Sequence, residues 1–256
     1  MKKSILAILT LMTAGILLVG CGKGNNYAVS VELTEQWEET ERKDENGELL
    51  LSLTGNYPVV SVKGNEEAEK KINDYIAGLA AEADAQADIN EGYAREDKAM
   101  RTEDMGEFSG YGFGSEYITG RADSQVISFR QNVYEFTGGA HPNSYAGGCN
   151  FSTETGNLLT LKDVVSDEAA ARTFIEQTIL EQTERPEYKD MFFDEYEESI
   201  QDVFSDSTWY FSEEGFVVIC NEYILGPHAS GIIEFTIPYD QFKLLNEEYV
   251  LRKASK

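Results

Sequence analysis

Two histidines, three cysteines and 46 carboxylates hold the reactive groups of this 256-residue chain. His141 follows Gly138-Gly139-Ala140 and precedes Pro142; His228 stands in a second turn, Gly226-Pro227-His228. An imidazole in a glycine-rich turn serves as a general base or a metal ligand, or it hydrogen-bonds the loop backbone. If the two loops met, a carboxylate such as Glu222 would complete a metal site. Nothing else in the chain has catalytic spacing: there is no Gly-x-Ser-x-Gly elbow, P-loop or His-Glu-x-x-His motif. Asp84, Asp88, Asn90 and Gly92 fail as a calcium loop, because Tyr93 takes the place that needs glycine. With 46 acids some glycosidase-like pair is inevitable, so carboxylates alone decide nothing. The expectation is no catalytic residue, no metal and no cofactor.

Cys21 has a different chemistry. Lys2 and Lys3 precede an apolar run from Ile5 to Val19, a positive n-region followed by an h-region. The run is short for a spanning helix, which needs about 20 residues. Leu18-Val19-Gly20-Cys21 resembles the bacterial lipobox, in which cleavage precedes a cysteine that then carries diacylglycerol. This implies a signal peptide over 1–20, lipidation at Cys21 and a small, polar tether over 21–26. The mature chain is expected outside the cytoplasmic membrane, held to it by lipid. Cys149 and Cys220 then remain. Oxidation is permitted there, so they form a disulfide or persist as two buried thiols.

Lys and Arg number 21 against 46 acids, a formal charge of −25. Without Lys2 and Lys3 it is −27. Phosphate recognition needs clustered cations, so nucleic acid is excluded as a partner. The 41% hydrophobic and 11% aromatic content suffices for a core. Residues 184–198 hold seven acids, Glu195, Glu197 and Glu198 among them, interleaved with Met191, Phe192, Phe193 and Tyr196. The stretch is either a solvated face or a docking surface for a cationic protein.

The elements that must position these groups come in blocks. Alternation at Val29, Val31 and Leu33 predicts a strand. Two more are expected over 48–54 and 57–63, with Gly55-Asn56 as the turn. A long helix should start after Asn65, with Ala68, Ile72, Tyr75, Ile76 and Leu79 on one face, and run toward Met100. Strands flank Asp123-Ser124, and another covers 145–153. A short strand at 158–161, a helix near Asp167, a hairpin from Trp209 to Leu225, a strand over 232–237 and a short helix over 239–245 complete the chain. Blocks without βαβ alternation predict an α+β fold, with largely antiparallel sheets and packed helices.

Four stretches resemble a known family: Phe136–Asn143; Asn150-Phe151 through Gly156-Asn157 to Asp163; Trp209–Phe216; and Gly226–Gly231 before Glu234–Tyr239. They are similar to the extracytoplasmic region of RsiV-type anti-sigma factors. The same pair of modules precedes the catalytic domain in PdaC-type peptidoglycan deacetylases. The resemblance implies two α+β modules, over 27–116 and 126–245. It implies a binding role toward a lysozyme-like muramidase or peptidoglycan rather than catalysis, since the deacetylase domain and its metal motif are missing. Where the family pattern has tyrosine in the Pro-x-Ala segment, this chain has His228. The expected binding edge carries His141, Asn143 and Tyr145 on one loop and Glu222, Tyr223 and His228 on the other. An enzyme acting on peptidoglycan through His141 and His228 is the alternative.

Overall fold

The computed structural model of the protein describes residues 27–37 and 41–252; Cys21 and the expected leader and tether lie outside them. Strands β1 (Ala28–Glu35), β2 (Glu41–Lys43), β3 (Leu49–Lys63), β4 (Tyr111–Ala122), β5 (Val126–Phe136) and β6 (Asn143–Ser152) form one sheet. Its order is β1-β3-β4-β5-β6, with β2 beside the first half of β3. Among the described residues only β3 and β4 pair in parallel. Helix α1 (Glu66–Met100) packs on one face. After the short α2 (Leu161–Val164) and α3 (Glu168–Thr183), strands β7 (Trp209–Phe211), β8 (Gly215–Cys220) and β9 (Ile233–Pro238) make a second, antiparallel sheet. The fold is α+β, as expected. The first sheet continues across residues 116–126: β4 pairs with β3 over Tyr111–Ser115 and with β5 over Gly112–Ala122, and β5 starts at Val126.

Local chemistry explains the elements. Asn65 caps α1, its side chain accepting from the Ala68 N–H at 3.3 Å. Ala68, Ile72, Ile76, Ala83, Ala87 and Ala94 are buried at helical spacing. The small side chains of the second half let α1 lie close to the sheet. Gly92 faces open space, and the helix runs through it. Asp167 caps α3 in the same way.

Three expected elements differ. Gly55-Asn56 is not a turn, and 49–63 is one strand. A Cβ on Gly55 would stand 2.4 Å from the Trp37 ring and 2.5 Å from the Ser115 carbonyl. Glycine is there for close packing. Asn56 accepts from the Tyr117 N–H at 2.7 Å, extending the β3–β4 contact with a side chain. Residues 158–161 form only a bridge, Phe151 to Leu158, before α2 starts. Residues 239–245 are turns and not a helix; the Pro238 carbonyl accepts from both Gln241 and Phe242.

The two sheets meet through glycines. A Cβ on Gly148 would fall 1.7 Å from the Trp209 carbonyl oxygen, and one on Gly120 2.4 Å from that of Phe211. Buried Ser128 and Asn150 satisfy the approaching backbone: the Phe211 N–H donates to Ser128 Oγ, and Asn150 Nδ2 donates to the Trp209 carbonyl. Nearby, Arg121 is buried against Asp123 at 2.7 Å, with its guanidinium over the Phe211 and Tyr239 rings.

Cys149 and Cys220 are free thiols, the second of the two alternatives. Cys149 packs with the core under α1, and Cys220 belongs to the core between α3 and the second sheet. Burial pushes each thiol up to about 11.

The long elements run between two poles. One holds the start of β1, the end of β3, the N-terminus of α1, the 123–125 turn and the 153–157 loop. Asn65 Nδ2 donates to the Thr153 carbonyl at 3.1 Å there. The opposite pole holds the 44–48 turn, the C-terminus of α1 and the 137–142 loop.

Candidate functional site

The loop between β5 and β6 turns on Gly138 and Gly139, at φ +90° and +94°, where only glycine is unstrained. This brings His141 to the rim. The connection from β8 to β9 meets it there, held by Asn221. The Ala146 N–H donates to Asn221 Oδ1 at 2.7 Å, and Asn221 Nδ2 donates to the Ala146 carbonyl at 2.9 Å. One buried amide thus takes both backbone groups of a β6 residue, as a neighbouring strand would.

The two imidazoles stack, with ring centroids 3.9 Å apart and planes at 15°. His141 Nδ1 lies 2.9 Å from the Pro142 carbonyl, and His228 Nδ1 lies 2.7 Å from Glu222 Oε2. Both partners accept, so Nδ1 of each ring donates; in a ring protonated at Nδ1 alone, Nε2 is left as an acceptor. Tyr223 Oη approaches His141 Nε2 at 3.4 Å, and its ring runs nearly parallel to that of His228 at 6.2 Å. The Glu222 side chain is only 8% exposed, whereas Tyr223 and His141 face solvent.

Holding Nδ1 on a carbonyl or carboxylate is how metal-binding histidines are oriented. The stack works against a shared ion: two parallel rings cannot aim both Nε2 lone pairs at one centre about 2.0 Å from each. Among the described residues no three His, Cys, Asp or Glu side chains converge to hold a metal. What the arrangement offers is an exposed shelf of planar rings with acceptor nitrogens.

Backbone strain collects around this shelf. The non-glycine residues with positive φ among the described residues are Asp190 (64°), Glu195 (64°) and Tyr223 (66°). They lie on two segments in contact: Phe193 N–H donates to the Leu225 carbonyl at 2.9 Å, and Ser230 Oγ donates to the Met191 carbonyl. A Cβ on Gly226 would sit 2.3 Å from that same Met191 oxygen. Left-handed backbone costs an L-residue on the order of 1–3 kcal/mol and persists where the surroundings over-determine it, typically at functional sites.

The shelf joins two recognisable segments. Residues 44–144 match the family model described as Deacetylase PdaC, and residues 162–240 match that described as Protein of unknown function (DUF3298). The chain is a PdaC-like, DUF3298-domain protein. His141 comes from the first matched segment of this PdaC-like chain; Glu222, Tyr223 and His228 come from the second. A solved DUF3298-family structure from Bacteroides fragilis is 20% identical, with a TM-score of 0.62, covering 88% of this chain and 96% of its own. At that identity the likeness is one of fold. A DUF3298-family structure from Pseudomonas aeruginosa is 13% identical, with a TM-score of 0.49 and coverage of 87% and 94%. No curated protein matches the sequence.

The remaining expected site residues fall around the shelf. Asn143 and Tyr145 open β6, opposite Glu135 and Val133, and Tyr145 is 44% exposed. Glu195 stands at a strained position on the acidic segment. Glu197 and Glu198, with Ile200 of their own segment, line a shallow groove of about 300 Å³ shared with Glu176 and Leu180 of α3. No hydrogen bond or ion pair joins these three acids to the imidazoles among the described residues. Of the interleaved aromatics, Phe192 and Tyr196 pack inward, with rings 4.7 Å apart, while Phe193 is exposed. Sequence reasoning missed the Asn221 clamp and the strained Asp190. An asparagine next to the Glu222–His228 segment was the available signal for the clamp; strain at an aspartate has no sequence signature.

Among the described residues no helix is long and apolar enough to cross a membrane.

Proposed function

We propose that this chain is a non-enzymatic, lipid-anchored binding module of the cell envelope, attached through Cys21, whose partner is a lysozyme-like muramidase. The observation that carries the reading is the convergence of His141, Tyr223 and His228 from two segments into an exposed shelf beside a strained acidic segment. Rigid, exposed rings supply contact area at low entropic cost. The surrounding carboxylates steer a cationic protein toward them and do so less at high salt. Binding of the fragment 22–256 to a lysozyme by interferometry tests this. The expected dissociation constant is below about 10 μM, or about −7 kcal/mol, and survives physiological salt. Reversing Glu195, Glu197 and Glu198 to lysine is expected to slow association most at low salt. Unchanged affinity at low salt would remove the acidic segment from the reading. No binding would turn attention to cell-wall glycan, for which Tyr145 and Tyr223 offer open ring faces.

One observation favours a second reading, a peptidoglycan-modifying enzyme. A carboxylate orients His228 as it would a general base. That reading requires turnover on muropeptides, lost in His228→Ala while lysozyme binding persists.

A further inference from the structure

Residues 22–26 separate Cys21 from Tyr27, so six residue spacings, at most about 21 Å, connect a lipid at Cys21 to the body. The body begins at the pole that also holds Gly64-Asn65, Ser124 and Thr153–Gly156. Ala28 pairs with Lys63, and Asn65 bonds the 153–154 backbone. The shelf sits at the opposite pole. From Ser152 to Asn143, β6 rises nine residues, about 31 Å. Parallel to it, α1 extends over 35 residues, about 52 Å. The tether is therefore shorter than the body.

We propose that the molecule stands on the lipid surface on the pole of residues 64–65, 123–125 and 153–157, and carries the imidazole–phenol shelf at its far end. This rests on the reading of Cys21 as the lipidated residue. The occupant of the near pole is a bilayer headgroup layer, committed by the tether length and by where the body starts. The shelf then faces partners approaching from the wall side, about 30 Å beyond the near pole. The near pole carries Lys63 and Lys71 as well as Glu154, charges of both signs, so proximity there is set by the tether.

The full-length chain, purified with its lipid and reconstituted in phosphatidylethanolamine–phosphatidylglycerol vesicles, tests this. One fluorophore is placed at Glu154→Cys and, separately, at Ala140→Cys; the wild type, with half-buried Cys149 and buried Cys220, is labelled in parallel as the background. Nitroxide on lipid headgroups is expected to quench the 154 label strongly and the 140 label little. Equal quenching, or stronger quenching at 140, overturns the orientation. Vesicle flotation of the wild type, absent in Cys21→Ser, with the lipid mass found on the N-terminal peptide, checks the anchor separately. A wild type without that mass overturns the anchor, and the orientation with it.

Discussion

Tyr223 holds φ at +66° while its ring stands 54% exposed. The perturbation of interest is Tyr223→Gly beside Tyr223→Ala. An L-residue in the left-handed region costs about 1–2 kcal/mol relative to glycine. Elsewhere glycine is the worse of the two by about 0.5–1 kcal/mol, through its larger unfolded-state entropy. The difference leaves Tyr223→Gly more stable than Tyr223→Ala by about 1 kcal/mol, reversing the usual order. The ring itself contributes little. It lies 6.2 Å from the His228 centroid and makes one long hydrogen bond of 3.4 Å. Its loss costs about 1 kcal/mol or less. Tyr223→Gly is expected within about 1 kcal/mol of wild type, while partner binding falls in both variants. Urea unfolding of the fragment 22–256, followed by circular dichroism, gives the midpoints. If Tyr223→Ala proves as stable as Tyr223→Gly or more so, the backbone is not held in that region, and the argument that strain marks this surface fails.

Other perturbations test the framework behind the shelf. Asp123→Asn removes the counter-ion of a guanidinium only 2% exposed, and is expected to cost about 3–5 kcal/mol, or a melting temperature lowered by roughly 6–20 °C. Arg121→Met strands the buried Asp123 carboxylate in turn, although its Oδ1 still accepts from the Gln125 and Val126 N–H groups, and should destabilise as well. Gly148→Ala would place a Cβ 1.7 Å from the Trp209 carbonyl, forcing the sheets apart. A loss of at least about 3 kcal/mol, or failure to fold, is expected, and a neutral result would contradict the sheet contact. The two thiols are raised from about 9 to about 11. A raised folded-state value favours the protonated form in the fold, so this stabilisation is complete below pH 9 and lost as the pH rises through 11. Urea midpoints should therefore fall between pH 9 and 11, and less so in Cys149→Ser. Non-reducing gels after mild oxidation should show no intramolecular crosslink.

Much of the frame was legible because it is local. Asn65 followed by a 3.6-residue apolar period gave α1, and alternation on both sides of Asp123-Ser124 gave β4 and β5. The β3 strand was misread because Gly55-Asn56 has turn chemistry; its glycine answers to Trp37 and the Ser115 carbonyl, which are not neighbours in sequence. The end of the chain was misread for a related reason. Phe242 and Leu245 have helix-like spacing, but they anchor turns onto the core of α3 and the second sheet. The cysteines were placed in strands, yet which core each strand faces depends on how the sheets stack. His141, Glu222, Tyr223 and His228 were each singled out from turn composition. A shared edge for the two loops was expected, but the stack of their rings was not readable, because it depends on one amide, Asn221, bridging a residue 75 positions away.

That dependence says how the shelf should be studied. Each matched segment supplies one imidazole, so either alone presents half of the surface. Cutting the chain just after the first segment, at residue 144, would also sever most of β6 from the ladder it shares with β5. Specificity need not lie in the ring-bearing residues alone. Asn221 sets the height of the 222–231 loop on β6, and Gly226 sets how near the acidic segment comes to it. A change at either shifts the rings relative to the carboxylates without altering any group a partner would touch. Relatives that keep the two segments but vary at positions 221 and 226 should therefore differ in what they bind, even where the rings themselves are unchanged.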